Sequence, residues 1–159
     1  MPVTQTVAEK ILREFVVRLE AYSSGGVAFT VYREVMDPDR MTPTDYQVVI
    51  RMSSNTRQPA LDRIGNPPAI AYDMTVTCYG QVMVSESDSE AVEGHGLEIA
   101  GRIVDAIVNG ADWYKFGGEA INCQIGDMNV TGSTGYRGGE VSFLVTYRVQ
   151  EGSPFTASA

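Results

Sequence analysis

The chain has 159 residues, the size of one domain that can bury a hydrophobic core without disulfides or metal ions. Its 20 acidic and 12 basic residues give a formal net charge of −8, and the basic residues form no cluster. Because neutralising DNA phosphates requires clustered Lys and Arg, this balance argues against tight binding of nucleic acid, although DNA could pass without being held. No apolar run is long enough to cross a membrane, and the N-terminus lacks a signal-peptide pattern, so we expect synthesis in the cytoplasm and no membrane partner.

The first predicted element is an amphipathic helix from Thr6 to Tyr22. Its apolar residues recur at the spacing of one buried helix face. These residues are Val7, Ile11, Phe15, Leu19 and Tyr22. The following Ser23-Ser24-Gly25-Gly26 segment is typical of a helix end.

Three strands with alternating apolar and polar residues come next. They are predicted at Val27–Val35, Asp45–Met52 and Ala69–Val84. In the third, every even position from Ile70 onward is apolar except Gly80, which predicts one buried and one solvated face.

A second helix is predicted from about Asp88 to Asn109, because Ser87-Asp88-Ser89-Glu90 forms a capping box. Gly94 and Gly96 weaken this helix and indicate either a bend or a close approach to another backbone.

Two further strands are predicted at Ala120–Val130 and Glu140–Gln150. The apolar phase changes within the first of them, which predicts a bulge near Gly126-Asp127. Cys78 and Cys123 fall at inward strand positions, so we expect buried free thiols rather than a disulfide framework.

The resulting order, α-β-β-β-α-β-β, predicts one α+β domain over residues 1–150. We expect a mainly antiparallel five-stranded sheet with two helices packed on one face, and antiparallel pairing within each group of strands. Residues 151–159 are small and polar and predict a flexible C-terminal tail.

Two connections have compositions that are open to a functional interpretation. Ser53–Pro68 is either a solvated loop or a segment that docks on a partner. In the second interpretation Leu61 and Ile64 are apolar anchors, flanked by Arg57, Asp62 and Arg63.

The second connection, Thr131–Gly139, contains four glycines and is either a flexible turn or a contact loop. Its Tyr136 and Arg137 are residue types that are frequent at interface hot spots. Both connections are therefore candidate subunit or partner interfaces.

The sequence offers little for catalysis. His95 is the only histidine, and no nucleophile or acid has a recognisable spacing to it. Neither a metal-ligand pattern nor a phosphate-binding or cofactor-binding loop is present, so we expect no enzyme activity, metal or cofactor.

An acidic run precedes and enters the second helix. It comprises Glu86, Asp88, Glu90, Glu93 and Glu98. Acids in a first helical turn complement the helix dipole. Alternatively, copies of this run around a ring would form a negative wall, with Glu86, Asp88, Glu90 and Glu93 repelling DNA phosphates from the lumen.

This layout resembles the tail terminator, or tail completion, proteins of long-tailed bacteriophages. The resemblance extends over about residues 4–150, in the order of elements and in three passages: Ala69–Gly80, Glu98–Ile107 and Phe143–Val149. It implies a hexameric ring that caps the tail tube, stops its polymerisation, meets the head connector and lets DNA pass. It also implies a virion protein at the junction of tail and neck, with no catalytic motif.

Three alternatives stay open. A head–tail connector, neck adaptor or tube-like subunit would have a similar layout. A ligand-binding module would need a pocket, which the aromatic residues Trp113, Tyr114 and Phe116 could line. A small enzyme would have to use His95.

Overall fold

The computed structural model describes residues 4–33, 46–83, 92–133 and 135–158, and these form an α+β fold. The helices are α1 (Val7–Ala21) and α2 (Val92–Ile107). The strands are β1 (Ser23–Ser24), β2 (Val27–Arg33), β3 (Tyr46–Arg57), β4 (Ala69–Met83), β5 (Asn122–Ser133), β6 (Tyr136–Gln150) and β7 (Ser153–Ala157). Short 3₁₀ segments lie at Pro59–Leu61 and Trp113–Gly118. The capping box, residues 87–90, lies outside the described residues.

The strands form one sheet in the order β1-β2-β3-β4-β6-β5, and β7 pairs with the end of β6. The expected five-stranded sheet was therefore wrong in strand number, and the expected chain order α-β-β-β-α-β-β lacks β1 and β7. Strands β1 and β7 were missed because they are short and polar and lack an alternating apolar pattern. Consequently, the segment expected to be a flexible tail contains a paired strand, β7.

The expectation of antiparallel pairing fails at one place, because β2 and β3 are parallel. Phe29 is level with Tyr46, and Arg33 is level with Ile50. Residues 34–45 connect the two strands, and about a dozen residues suffice for a crossover between parallel neighbours. All other neighbouring strands are antiparallel, and the bulge predicted near Gly126 is confirmed by a register shift between Ile125 and Met128.

Both helices pack on the same face of the sheet and share one hydrophobic core. Helix α1 begins at the cap residue Thr6, whose hydroxyl accepts a hydrogen bond from the Glu9 amide at 3.2 Å. Both cysteines are buried free thiols, as predicted. Burial raises the pKa of the Cys123 thiol to about 12, so this thiol is un-ionised at neutral pH.

Helix α1 is fixed to the C-terminal end of α2 by one guanidinium, and to the 3₁₀ segment Trp113–Gly118 by aromatic packing. The Phe15 ring stacks on Phe116 with 4.6 Å between ring centroids, and the Arg18 guanidinium lies 4.6 Å from the centre of the same Phe116 ring. Arg18 donates hydrogen bonds to the carbonyl oxygens of Ile107, at 2.9 Å, and of Trp113, at 2.8 Å. It thereby satisfies a carbonyl at the end of α2 that has no partner within the helix.

The N-terminal half of α2 lies directly on the backbone of the sheet, because glycines face each other there. A Cβ atom on Gly96 would come within 2.7 Å of the Gly138 carbonyl oxygen and of the Val130 side chain. A Cβ atom on Gly139 would collide with the carbonyl oxygen of Gly96, and one on Gly80 would lie 2.5 Å from Ile99. The interpretation of Gly96 as a point of close backbone approach is therefore confirmed.

This contact predicts opposite effects for the same substitution at two positions of α2. Gly96→Ala should lower the free energy of unfolding by about 1–3 kcal/mol, because the methyl group overpacks the contact with the sheet. Gly101→Ala, where a Cβ atom meets nothing within 4 Å, should raise it by about 0.5–1 kcal/mol through helix propensity. Urea denaturation of both variants measures the difference. Equal effects of the two substitutions would contradict the close contact.

Candidate interaction site

The loop between β3 and β4 is shorter and more ordered than the sequence indicated. Strand β3 continues through Arg57, so the connection comprises only residues 58–68, which we call the hairpin loop. The polar Ser53–Arg57 segment, expected to belong to the loop, pairs with β4 instead. A bulge between Met52 and Ser54 changes the register at the point where the apolar pattern ends.

Arg57 and Asp62 form a bidentate ion pair across the hairpin loop. The two guanidinium nitrogens of Arg57 donate to the two carboxylate oxygens of Asp62, at 2.6 and 2.9 Å. Asp62 also accepts a hydrogen bond from the backbone amide of Ala71, at 2.8 Å. The hydrogen bond from Arg57, followed by that from Ala71, lowers the pKa of Asp62 to about 2.

Two further contacts hold the hairpin loop against the sheet. Arg63 and Ala69 exchange backbone hydrogen bonds of 3.0 Å in both directions. On the neighbouring strand β6, Arg148 donates from Nε to the Leu61 carbonyl oxygen at 2.7 Å. The hairpin loop is thus held from both of its ends and from a neighbouring strand, while its residues 59–68 are all exposed to solvent.

The ordered hairpin loop presents apolar side chains to solvent. Ile64 is fully exposed, with a relative accessibility of 105%, and Leu61 is 41% exposed. Because the backbone that carries these side chains is already held, little further ordering of the loop is needed when a partner covers them, which favours binding. Four of the six residues predicted as interface, Arg57, Leu61, Arg63 and Ile64, are therefore brought together on one ordered surface.

The other two predicted interface residues lie at the opposite end of the sheet. Tyr136 and Arg137 are half-buried at the start of β6, where Tyr136 pairs with Met83. At the other end of the pairing between β4 and β6, Ala69 lies beside the hairpin loop and pairs with Gln150. The length of β4 separates the two surfaces by about 45 Å, at about 3.3 Å per residue. Much of the expected Thr131–Gly139 loop belongs to β5 and β6.

The predicted acidic lumen falls mostly outside the described residues. Glu86, Asp88 and Glu90 lie there, and Glu93 belongs to the first turn of α2. Glu98, further along α2, binds the Arg102 guanidinium with 2.9 Å between the two side chains. The wall of acidic side chains therefore stays a prediction.

The residues considered for other functions are dispersed. His95 lies near the start of α2, and Phe116, considered as a pocket-lining residue, is buried in the core against Phe15. Within the described ranges there is no group of three or more His, Cys, Asp or Glu side chains that could hold a metal ion. No α-helix in the described part of the chain has the length and apolar character needed to span a bilayer.

Sequence reasoning missed Asp62 and Arg148 as the residues that order the hairpin loop. The role of Asp62 could have been inferred from the sequence, since Arg57 and Asp62 have opposite charges and lie five positions apart across a proline-containing turn. The role of Arg148 could not have been inferred from nearby residues, because its contact with Leu61 spans 87 positions of the chain.

Neither a protein-family model nor a curated protein matches the chain.

The ion pair between Arg57 and Asp62 predicts that the order of the hairpin loop depends on pH, and this dependence can be measured at the backbone amide of Ala71. Because the folded-state pKa of Asp62 is lowered, its carboxylate stabilises the loop above the ordinary carboxyl pKa, and this contribution is lost as pH falls through about 2. The Ala71 amide resonance should titrate with a midpoint near 2 in NMR spectra. Asp62→Asn should abolish this transition, and a midpoint near 4 in the wild-type chain would contradict the ion pair.

Proposed function

We propose that this chain is a structural subunit of a phage virion, a tail terminator that forms a ring, caps the tail tube and joins it to the head connector. The single observation that carries the proposal is the placement of two candidate contact surfaces at opposite ends of β4. A subunit that joins two assemblies needs one contact surface toward each of them. The hairpin loop is one of these surfaces, and the surface around Tyr136 and Arg137 is the other.

The order of the hairpin loop supports this proposal. A cap that stops polymerisation must bind the end of the tube without a large entropic cost. The backbone that carries Ile64 and Leu61 is held by the Arg57–Asp62 pair, by the Arg63–Ala69 backbone bonds and by Arg148, so that little ordering of the loop remains for the bound state. We assign the hairpin loop to a protein contact, with Ile64 as its apolar anchor.

Charge also favours a passage for DNA over a binding site for it. The chain carries a net charge of −8 and no cluster of basic residues. A ring of such subunits repels phosphates, so that DNA passes without being retained. A hexamer agrees with the resemblance, and the head connector or neck protein and the tube protein are the proposed partners.

A neck adaptor or head–tail connector is the second candidate, because it too joins two assemblies at opposite ends. Addition of the purified protein to polymerising tail tubes distinguishes the two. A terminator stops elongation, whereas an adaptor leaves elongation unchanged.

The hairpin loop gives a direct test of the terminator function. Ile64→Asp should prevent the protein from stopping elongation, because a charge replaces the apolar anchor at the tube contact. Tube lengths are measured by electron microscopy. Leu144→Asp, at an exposed apolar residue in the middle of the sheet, is the control and should still stop elongation.

Tyr136→Ala tests the other end of the sheet. It should leave tube capping intact and impair joining to the head connector, which can be scored as the fraction of tails that attach to heads. Wild-type behaviour of both Ile64→Asp and Tyr136→Ala would contradict the two-ended arrangement.

A further inference from the structure

Strand β5 is an open edge of the sheet. It pairs with β6 on one side, and no described strand pairs with its other side. Residues 124–129 are all exposed. Such an edge presents unpaired N–H and C=O groups, which an added strand can satisfy.

The side chains at this edge form a small apolar protrusion with one charge. Ile125 is 40% exposed and Met128 is 45% exposed. Their cross-strand partners, Phe143 and Val141, are buried in the core, so both side chains lie on the helix-covered face of the sheet. Asp127, between them, is the only charged residue of β5. We call Ile125, Asp127 and Met128 the β5 edge.

The opposite side of the sheet offers a matching hollow. Strand β1 pairs only with the first two residues of β2, and the rest of β2 pairs with β3 alone among the described strands. Beside this edge, α1 and β2 enclose an open hollow of about 540 Å³. Its described lining residues are Glu9, Arg13, Val16, Val17 and Arg33, which we call the β2 hollow.

The two surfaces are complementary in polarity and in charge. Val17 is 56% exposed and supplies apolar surface to the β2 hollow. Arg13 and Arg33 share one carboxylate, that of Glu9, at 3.3 and 3.2 Å, so the hollow keeps one excess positive charge. The β5 edge carries one negative charge, at Asp127.

Strand direction allows the two edges to join. Strands β2, β3 and β6 run in one direction, and β4 and β5 run in the other. When a second copy is placed beside the first with its helices on the same side, β5 of one copy is antiparallel to β2 of the next. This contact leaves one β2 edge and one β5 edge free on the pair of copies, so further copies can add until a ring closes.

We propose that the β5 edge of one copy adds to β2 of a second copy, with Ile125 and Met128 in the β2 hollow and Asp127 facing Arg13 and Arg33. This contact rests on the proposed ring-forming function and identifies the surfaces that join its subunits. It places the subunit contacts at the sides of the sheet, whereas the tube and connector contacts lie at its ends.

Two lysine substitutions on the full chain test the contact, one on each surface. Ile125→Lys and Val17→Lys should each weaken self-association by about tenfold or more, measured by light scattering after size exclusion at increasing protein concentration. Leu144→Lys, on the opposite face of the sheet, is the control and should assemble like the wild type. Circular dichroism checks that each variant is folded.

Mixing the two variants distinguishes a head-to-tail contact from a symmetric one. Ile125→Lys keeps an intact β2 hollow, and Val17→Lys keeps an intact β5 edge. Their equimolar mixture should therefore form dimers that grow no further. A mixture that stays monomeric, or a mixture that assembles like the wild type, overturns the proposal.

Hydrogen exchange of the wild-type chain gives a readout that needs no variant. Peptides covering residues 122–133 and 29–33 should gain protection together as the protein assembles. Assembly without this protection, or a wild-type chain that stays monomeric at every concentration, overturns the contact. Tube capping by a protein with these edges unprotected would retain the terminator function and reject the edge contact. Edge-dependent rings that leave tube elongation unchanged would retain the edge contact and reject the terminator function.

Discussion

The close contact between α2 and the sheet is the constraint on which the rest of the architecture depends. Gly96 on the helix and Gly139 on β6 approach each other backbone to backbone, and Gly80 leaves room for Ile99 on the neighbouring strand. Side chains at these positions would push the helix outward, and the core between α2 and the sheet would lose its packing. The depth of α2 in turn sets where its C-terminal half meets α1 and β1.

The C-terminal half of α2 is held by two arginines whose contacts depend on this depth. Arg18 of α1 reaches the last carbonyl of α2, at Ile107. Arg102 of α2 binds Glu98 and donates to the Ser24 carbonyl oxygen of β1, at 2.9 Å. The helix layer is thereby fixed over the middle of the sheet. The β3–β4 hairpin extends away from it, since the β3 residues from Arg51 to Arg57 are all exposed.

This arrangement separates the surfaces of the molecule by physical character. The hairpin loop is rigid through ion pairing and presents isolated apolar side chains at one end of the sheet. The sides of the sheet present strand edges instead. The β5 edge carries one charge, at Asp127, and the β2 hollow is lined by Glu9, Arg13 and Arg33 together with apolar side chains. The proposed contacts at the ends and those at the sides involve different residues, so that variants of one kind can be tested without disturbing the other.

The periodicity of apolar residues alone was sufficient to predict the long helices and strands, because each of them buries one face against the same core. The α1 stripe from Val7 to Leu19 and the alternation in β4 report such burial directly. Strand β7 and the parallel pairing of β2 with β3 left no local signal, since they depend on which backbone edge lies nearby. The glycines of the Thr131–Gly139 segment were read as flexibility, although Gly138 and Gly139 are sites of close packing within β6.

By itself, the sequence determined the α+β class, the main helices and strands, the buried cysteines and the negative net charge, because these follow from local spacing and composition. Tertiary structure alone decided that the hairpin loop is ordered and that its residues lie far from Tyr136. It also decided which strands are left as edges. The physical reason is that contacts such as that of Arg148 with Leu61 join residues 87 positions apart in the chain, and the spacing of neighbouring residues cannot predict them.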